Sequence, residues 1–172
     1  ALRSAVVEIQ NASGASSYAV STSDGAVVAP AISGSPLKGS YTIDVISTGS
    51  RTNTSSKDDL LRVTNPSGTS LSLASSFTLT VGSTAHTITP ASNTLEALAS
   101  SINETTAADV QAVIVNLGTS ANPDYRLSVQ HNKLGPVPIQ LNDGAQDLLQ
   151  SVTTGSFAQY RINGQPVAEP IS

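Results

Sequence analysis

The chain contains no cysteine, methionine or tryptophan, and only 3% of its 172 residues are aromatic. Without cysteine, neither a disulfide framework nor a thiolate metal site or nucleophile can form. Charged residues make up 12% of the chain, about half of the roughly 25% that is usual in globular proteins. The surface therefore consists largely of hydroxyl and amide groups.

The chain also lacks a basic face and a long apolar run. Its net charge is -4, and its eight Lys and Arg residues are scattered singly, whereas nucleic acids and anionic membranes attract concentrated basic charge. No stretch approaches the roughly 20 apolar residues that span a bilayer. We expect no nucleic-acid partner and no membrane insertion. The start Ala1–Ser4 does not resemble a signal peptide, and the absence of Met leads us to expect a fragment of a longer protein.

What the chain does contain is a pattern of short strands separated by Ser- and Gly-rich turns. About a quarter of the residues are Ser or Thr, and Thr and Val favour strands. The first candidates are Val6–Gln10, Tyr18–Ser21, Val27–Ile32 and Tyr41–Ser47. The predicted fold class is mainly β (α+β): antiparallel β-rich domains with one short capped helix packed on a sheet.

The predicted helix follows a hairpin of Phe77–Val81 with Ala85–Ile88, whose alternation of apolar and polar residues is typical of paired strands. With Asn93 as the N-cap, Glu96 lies three residues on, at the reciprocal position of a capping box. The apolar stripe of this helix consists of Leu95, Leu98, Ala99 and Ile102, spaced i, i+3, i+4 and i+7.

A helix of about eight to ten residues is not stable alone in water, so this one must pack on a sheet. Asn103 is expected to end it, because Asn tolerates left-handed backbone geometry. The strands Val110–Val115 and Tyr125–Val129 are predicted to receive the helix. The first is almost continuously apolar and the second alternates, as a buried strand beside a half-exposed one would.

Four further segments complete the sequence-based description. Thr48–Ser56 is predicted to be a low-complexity linker, and Pro136–Leu141 an edge strand because its prolines cannot donate to a ladder. Ala145–Val152 is expected to form one or two helical turns with Leu148, Leu149 and Val152 inward. Phe157–Ile162 begins a strand, after which Asn163-Gly164 is the strongest type I′ hairpin signal in the chain.

In their order, these elements resemble the hook IN motif of flagellins, over residues 77 to 129. The matching positions include Asn93, Leu95, Leu98, Ile102, Asn103, Tyr125 and Leu127. The flanking segments Gly39–Val45 and Ala158–Val167 resemble those that surround this motif in the flagellar filament cap proteins, the hook-associated protein 2 family. The resemblance covers roughly residues 26 to 168. The same motif also occurs in other axial flagellar proteins, which therefore stay an alternative.

The resemblance implies a structural, extracellular component of the bacterial flagellum at the filament tip. Such a cap is an oligomeric plate that retains exported flagellin and promotes its assembly, so flagellin and further copies of the chain are the expected partners. It also implies nested domains: residues 1–50 completed by 155–172 as one β domain, and 51–154 as an inserted β-rich head domain. Neither chain end carries the heptad run of a coiled coil, so we expect this chain to be monomeric or weakly associated.

The sequence offers little chemistry. His86 lies in the middle of a predicted strand and His131 in a polar turn, and neither has a spacing that indicates a metal or catalytic site. Asp58-Asp59, the adjacent carboxylate pair, is more simply a solvated turn. There is no Gly-x-Ser-x-Gly elbow and no Gly-rich phosphate loop. We predict no catalytic residues, no metal, no cofactor and no enzyme activity.

Two alternatives come from other functional classes. A bacterial surface adhesin or glycan-binding β module would have host glycans or mucin as partners, and it would stack sugars on aromatic side chains. The available aromatics are Tyr18, Tyr41, Phe77, Tyr125, Phe157 and Tyr160, and an exposed cluster of two or three of them would favour this reading. A surface hydrolase would need two buried carboxylates facing each other across a cleft.

Overall fold

The computed structural model describes residues 40–106 and 109–167. These residues form one helix, α1 (Leu95–Thr106), and ten strands: β1 (Ile43–Ser47), β2 (Asn53–Ser56), β3 (Phe77–Val81), β4 (Thr84–Ile88), β5 (Val110–Asn116), β6 (Tyr125–His131), β7 (Ile139–Asn142), β8 (Leu149–Thr153), β9 (Gln159–Ile162) and β10 (Gln165–Pro166). All of them belong to the compact unit Thr42–Ser172. The strands predicted before residue 33 lie outside the described residues.

Three sheets organise the described chain, and all named strand pairs are antiparallel. The largest has the strand order β5-β6-β2-β8, the second β4-β3-β7 and the third β1-β9-β10. With one helix among these strands, the predicted mainly β fold class is confirmed.

The predicted hairpin is present as β3 and β4. Phe77 pairs with Ile88 and Val81 with Thr84, which leaves a two-residue turn. Gly82 begins that turn with a φ of 61°, a conformation that residues with a Cβ atom adopt at a cost. In β3, Phe77, Leu79 and Val81 are buried while the intervening threonines are not, so the period-two pattern correctly identified the inward face.

Helix α1 packs into one core that both larger sheets share. Leu95, Leu98 and Ile102 are fully buried, and the same cluster contains Leu79 of β3 and Leu127 of β6. The predicted apolar stripe is therefore confirmed. At 12 residues the helix is longer than predicted but still at the lower limit of independent stability, so its burial between the sheets is what stabilises it.

The predicted N-cap of α1 was wrong by one residue. Asn93 is exposed, and the cap is Thr94, whose Oγ1 accepts the N–H of Ala97 at 3.2 Å. With Thr94 as the N-cap, the third residue after the cap is Ala97 rather than Glu96. Alanine has no side chain that can accept the N–H of the cap residue, so no capping box forms. Ser92, Asn93 and Thr94 all carry short oxygen-bearing side chains that can cap a helix, and the residue at which the helix starts decides which of them does so.

The two N–H groups that follow Thr94 are bonded by a distant loop. Leu95 N–H donates to the carbonyl of Thr69 at 2.8 Å, and Glu96 N–H donates to that of Pro66 at 3.1 Å. Helix ends leave such groups without partners inside the helix. The loop thus provides acceptors for two N–H groups at the start of α1, and the same hydrogen bonds hold the loop against the helix.

The predicted linker Thr48–Ser56 was also wrong, because its second half is strand β2 in the interior of the largest sheet. The hydroxyl of Thr54 donates to the carbonyl of Val129 at 3.1 Å, and that of Ser56 accepts the N–H of Leu127 at 3.3 Å. Both hydroxyl-bearing residues are buried. A strand without apolar residues gives no hydrophobic period, so pattern analysis could not find it.

The helical turns predicted over Ala145–Val152 are absent, and strand β8 occupies the second half of the segment. Leu148 and Leu149 are buried as predicted, but Val152 is 59% exposed. On a helix, Val152 would lie on the same face as Leu148 and Leu149, because the helical period is 3.6 residues. The strand pairs with β2 instead, which turns Val152 toward solvent.

The predicted edge strand and final hairpin are confirmed. Strand β7 lies at the edge of its sheet and pairs only with β3 among the described strands. Asn163 and Gly164 have φ values of 50° and 77°, as a type I′ turn requires, and they join β9 to β10. Strand β9 also pairs with β1, with Ile43 opposite Ile162.

The connection between β7 and β8 is a turn built around one carboxylate. Asp143 accepts the hydroxyl of Ser72 at 2.7 Å and the N–H groups of Ala145 and Gln146 at 2.9 and 2.8 Å. The hydrogen bond from Ser72, followed by those from the backbone, lowers the pKa of Asp143 from its ordinary 3.8 and outweighs the opposing effect of desolvation.

We expect Thr94→Ala to lower the free energy of unfolding by about 1 kcal/mol, because the N–H of Ala97 loses its acceptor. Asn93→Ala serves as the matched control and should change it by less than about 0.5 kcal/mol, since that side chain is exposed. Urea denaturation followed by circular dichroism measures both. A larger loss for Asn93→Ala than for Thr94→Ala would show that the cap is misassigned.

The Asp143 turn should make stability depend on pH. Because the pKa of Asp143 is depressed in the folded state, its ionised form stabilises the fold fully above 3.8, and this contribution disappears as the pH falls through the folded value. Asp143→Asn should therefore lower the urea midpoint at about pH 6 more than at about pH 2.5. Ser72→Ala removes the largest cause of the shift, and it should reduce the same pH-dependent difference. An equal loss at both pH values would contradict this account.

Candidate functional site

The residues predicted from the motif fall into two groups in the structure. Leu95, Leu98, Ile102 and Leu127 are fully buried and belong to the same core, with Tyr125 half-buried at its margin. These side chains position α1 on the largest sheet. Asn93, by contrast, is exposed. The assignment of all seven as family motif residues stays a prediction.

Asn103 has a different role from the one expected. The helix continues for three residues beyond it, and it is not among the described residues with positive φ. Its side-chain amide forms two hydrogen bonds with one residue of β5: Nδ2 donates to the carbonyl of Ala112 at 2.9 Å, and Oδ1 accepts the N–H of Ala112 at 2.8 Å. Asn103 thus connects the helix to the edge of the sheet.

Arg126 is a buried cation that sequence analysis did not single out. Its Nε and Nη2 donate to the two carboxylate oxygens of Asp124 at 2.9 and 3.1 Å, and its Nη1 donates to the carbonyl of Lys57. A bidentate pair with an added carbonyl acceptor satisfies most of the guanidinium. The group joins β6 to the segment after β2, which is a structural role.

The two histidines show no catalytic arrangement. The Nε2 atom of His86 lies 3.7 Å from a carboxylate oxygen of Asp109 and makes no hydrogen bond. His131 was expected in a polar turn, but it ends β6 and is buried. Its Nδ1 lies 3.0 Å from the carbonyl of Lys133, so this ring organises the local turn.

The hydrolase alternative finds no support in the described residues. None of their carboxylates is buried, whereas a pair of strongly perturbed carboxylates would be expected in a catalytic cleft. Asp58 and Asp59 are exposed in a turn. No group of three or more His, Asp or Glu residues in the described ranges could hold a metal ion. No helix in those ranges is long and apolar enough to cross a membrane.

One groove of about 590 Å³ lies beside the sheet β1-β9-β10. Two aromatic residues, Phe157 and Tyr160, contribute to its lining together with Ile46, Pro136 and Pro166. Phe157 is 36% exposed, and its ring lies over Gly135, where a Cβ atom would come within 2.5 Å of the ring. The groove is therefore an open, largely apolar surface with two aromatic side chains.

No protein-family model matches the sequence, and no curated protein sequence matches it either. Solved structures do match. The flagellar cap protein FliD D2-D3 domains from Serratia marcescens have a TM-score of 0.62 at 20% identity, with 80% of this chain and 79% of that chain covered.

Two further structures agree. The FliD D2-D3 domains from Escherichia coli give a TM-score of 0.60 at 21% identity over 81% of this chain and 77% of that one. FliD (HAP2) from Pseudomonas aeruginosa PAO1 gives 0.58 at 19% identity over 81% and 69%. The resemblance predicted from the sequence is confirmed at the level of three-dimensional structure: this chain has the fold of the D2-D3 domains of flagellar cap proteins.

Proposed function

We propose that this chain forms the outer domains of a bacterial flagellar filament cap. The observation that carries the proposal is the shared fold, which covers about 80% of the chain in cap proteins from three different bacteria. An independent line of support is the order of motif residues from Asn93 to Leu127. The chain acts outside the cell at the filament tip, where it retains exported flagellin and promotes its assembly.

The work of such a cap is mechanical and requires no covalent chemistry. Its partners are flagellin and further copies of the full-length protein. The composition of the described surface supports this role, because hydroxyl and amide groups can form many weak, exchangeable contacts without a fixed charge pattern.

The domain arrangement that accompanies this proposal is nested. We propose that residues 1–50, completed by 155–172, belong to one β domain and that residues 51–154 are a head domain inserted into it. The pairing of β1 with β9, which brings Ile43 opposite Ile162, supports joining the two outer segments. The proposal predicts that excising residues 51–154 and bridging the gap would leave a folded remainder.

Localisation on the cell tests the proposal directly. Immunogold electron microscopy of intact cells, with antibody raised against this chain, should place gold at the filament tips. Cells from which the gene has been deleted are the control and should show no gold. Label along whole filaments would assign the chain to another axial protein, and label on the cell body alone would contradict a flagellar function.

A glycan-binding role is a second candidate, and the groove beside β1-β9-β10 favours it. Phe157 and Tyr160 share the lining of this groove, and exposed aromatic faces are the usual stacking platform for sugars. Ser156 and Gln159 also line this groove, and both carry polar side chains. Host glycans or mucin would be the ligands.

If this groove binds glycans, Phe157→Ala and Tyr160→Ala should each reduce the response on a glycan array or a mucin-coated surface at least about tenfold, a loss that corresponds to about 1.4 kcal/mol. Tyr41→Ala is the matched control, because Tyr41 is 61% exposed but does not line the groove. No binding by the unaltered chain, or equal losses for all three variants, would eliminate this function while leaving the cap proposal intact.

A further inference from the structure

Strand β5 is an edge strand among the described strands, and its own residues carry none of the usual protections against pairing. It is the terminal strand in the order β5-β6-β2-β8, and its seven residues, Val-Gln-Ala-Val-Ile-Val-Asn, include no charge and no proline. Natural edge strands are normally short, charged, bulged or interrupted by proline, because a bare edge pairs with other chains. Something else must keep this edge from pairing.

The side chain of Asn103 occupies the position that a neighbouring strand would take. Its amide accepts the N–H of Ala112 and donates to the carbonyl of the same residue, at 2.8 and 2.9 Å. One residue of an adjacent antiparallel strand would make these same two bonds through its own N–H and C=O groups. Because Asn103 is held by the buried residues of α1 on either side, Ile102 and Thr106, its amide cannot easily swing away.

Beyond Ala112, no described strand pairs with this edge, and the open part is short. In an antiparallel ladder the backbone groups of alternate residues point to the same side, so those of Ile114 and Asn116 point to the open side, as those of Ala112 do. Val113 and Val115 lie on the outer face and are 45% and 39% exposed. The amide of Asn103 therefore divides an otherwise continuous, apolar edge.

We propose that Asn103 prevents this chain from self-associating, and that without its amide β5 pairs antiparallel with β5 of a second copy. A two-fold antiparallel pairing brings the same residues together from both copies, and the uncharged strand meets no like-charge repulsion in that arrangement. A stable interface buries about 1,200 Å² or more. The two open residues of each β5 strand would bury less area than this, so pairing requires the whole edge of β5. The inference does not rest on the cap function.

Analytical ultracentrifugation of the 172-residue chain tests the proposal. The unaltered protein should sediment as a monomer of 17.5 kDa, whereas Asn103→Ala should shift toward twice that mass as its concentration rises. Asn142→Ala is the matched control, because the Asn142 amide also makes two hydrogen bonds, with Asp147 and Gly144, but lies in β7, which belongs to a different sheet from β5.

A second variant separates edge pairing from general destabilisation. Adding Val113→Lys to Asn103→Ala places a charge on the outer face of β5, which should abolish the dimer without restoring the denaturation midpoint. The proposal is overturned if folded Asn103→Ala stays monomeric, if Asn142→Ala dimerises equally, or if Val113→Lys leaves the dimer intact.

Hydrogen exchange on the unaltered protein gives a test that does not depend on the variants folding. The N–H of Ala112 should exchange at least about tenfold more slowly than those of Ile114 and Asn116, because only Ala112 is hydrogen-bonded to Asn103. Equal exchange of the three amides would show that Asn103 does not close the edge in solution.

Discussion

The position of β2 between β6 and β8 is the constraint on which the rest of the structure depends. This strand of Asn, Thr and Ser holds together segments that lie about 75 and 95 residues further along the chain. Because it has no apolar side chains to bury, its stability comes from ladder hydrogen bonds and from the hydroxyls of Thr54 and Ser56, which pair with β6. Each hydroxyl is hydrogen-bonded where it is buried, and this bond offsets the cost of its desolvation.

The same use of polar groups continues around α1. Its core face is apolar, but its connections to the rest of the molecule are hydrogen bonds: Thr94 at its start, the carbonyls of Pro66 and Thr69 beside it, and Asn103 against β5. A helix of 12 residues cannot persist without such support. The helix in turn orders a loop and closes a sheet edge. A surface poor in charge is compatible with this design, since the directional interactions are those of hydroxyls, amides and backbone groups.

How much of this could be read from the sequence depended on apolar periodicity. The β3-β4 hairpin, the stripe of α1 and strand β6 were predictable because apolar residues recur with the period of the element. Strand β5 was predicted from its almost continuous apolar residues, but its predicted burial was wrong: it is an edge strand, with Val113 and Val115 45% and 39% exposed. Strand β2 could not be predicted, because it has no apolar residues. Strand β8 was assigned a helical period because Leu148 and Leu149 are adjacent in sequence. Asn103 was identified as part of a motif, yet its bonding partner nine residues away could not be inferred. The pair that buried Arg126 forms with Asp124 carried no signal beyond that of ordinary surface charges.

By itself, the sequence determined the fold class, the inward faces of β3 and α1, the type I′ turn at Asn163-Gly164 and the resemblance to flagellar cap proteins. These depend on local periodicity, on backbone preferences and on the order of short motifs, all of which are written along the chain. The tertiary structure alone decided which residue caps α1, that a hydroxyl-rich segment is a central strand, that Phe157 and Tyr160 share a groove, and that Asn103 closes the edge of β5. Each of these is a contact between distant segments, and polar residues can form such a contact with many alternative partners until packing selects one.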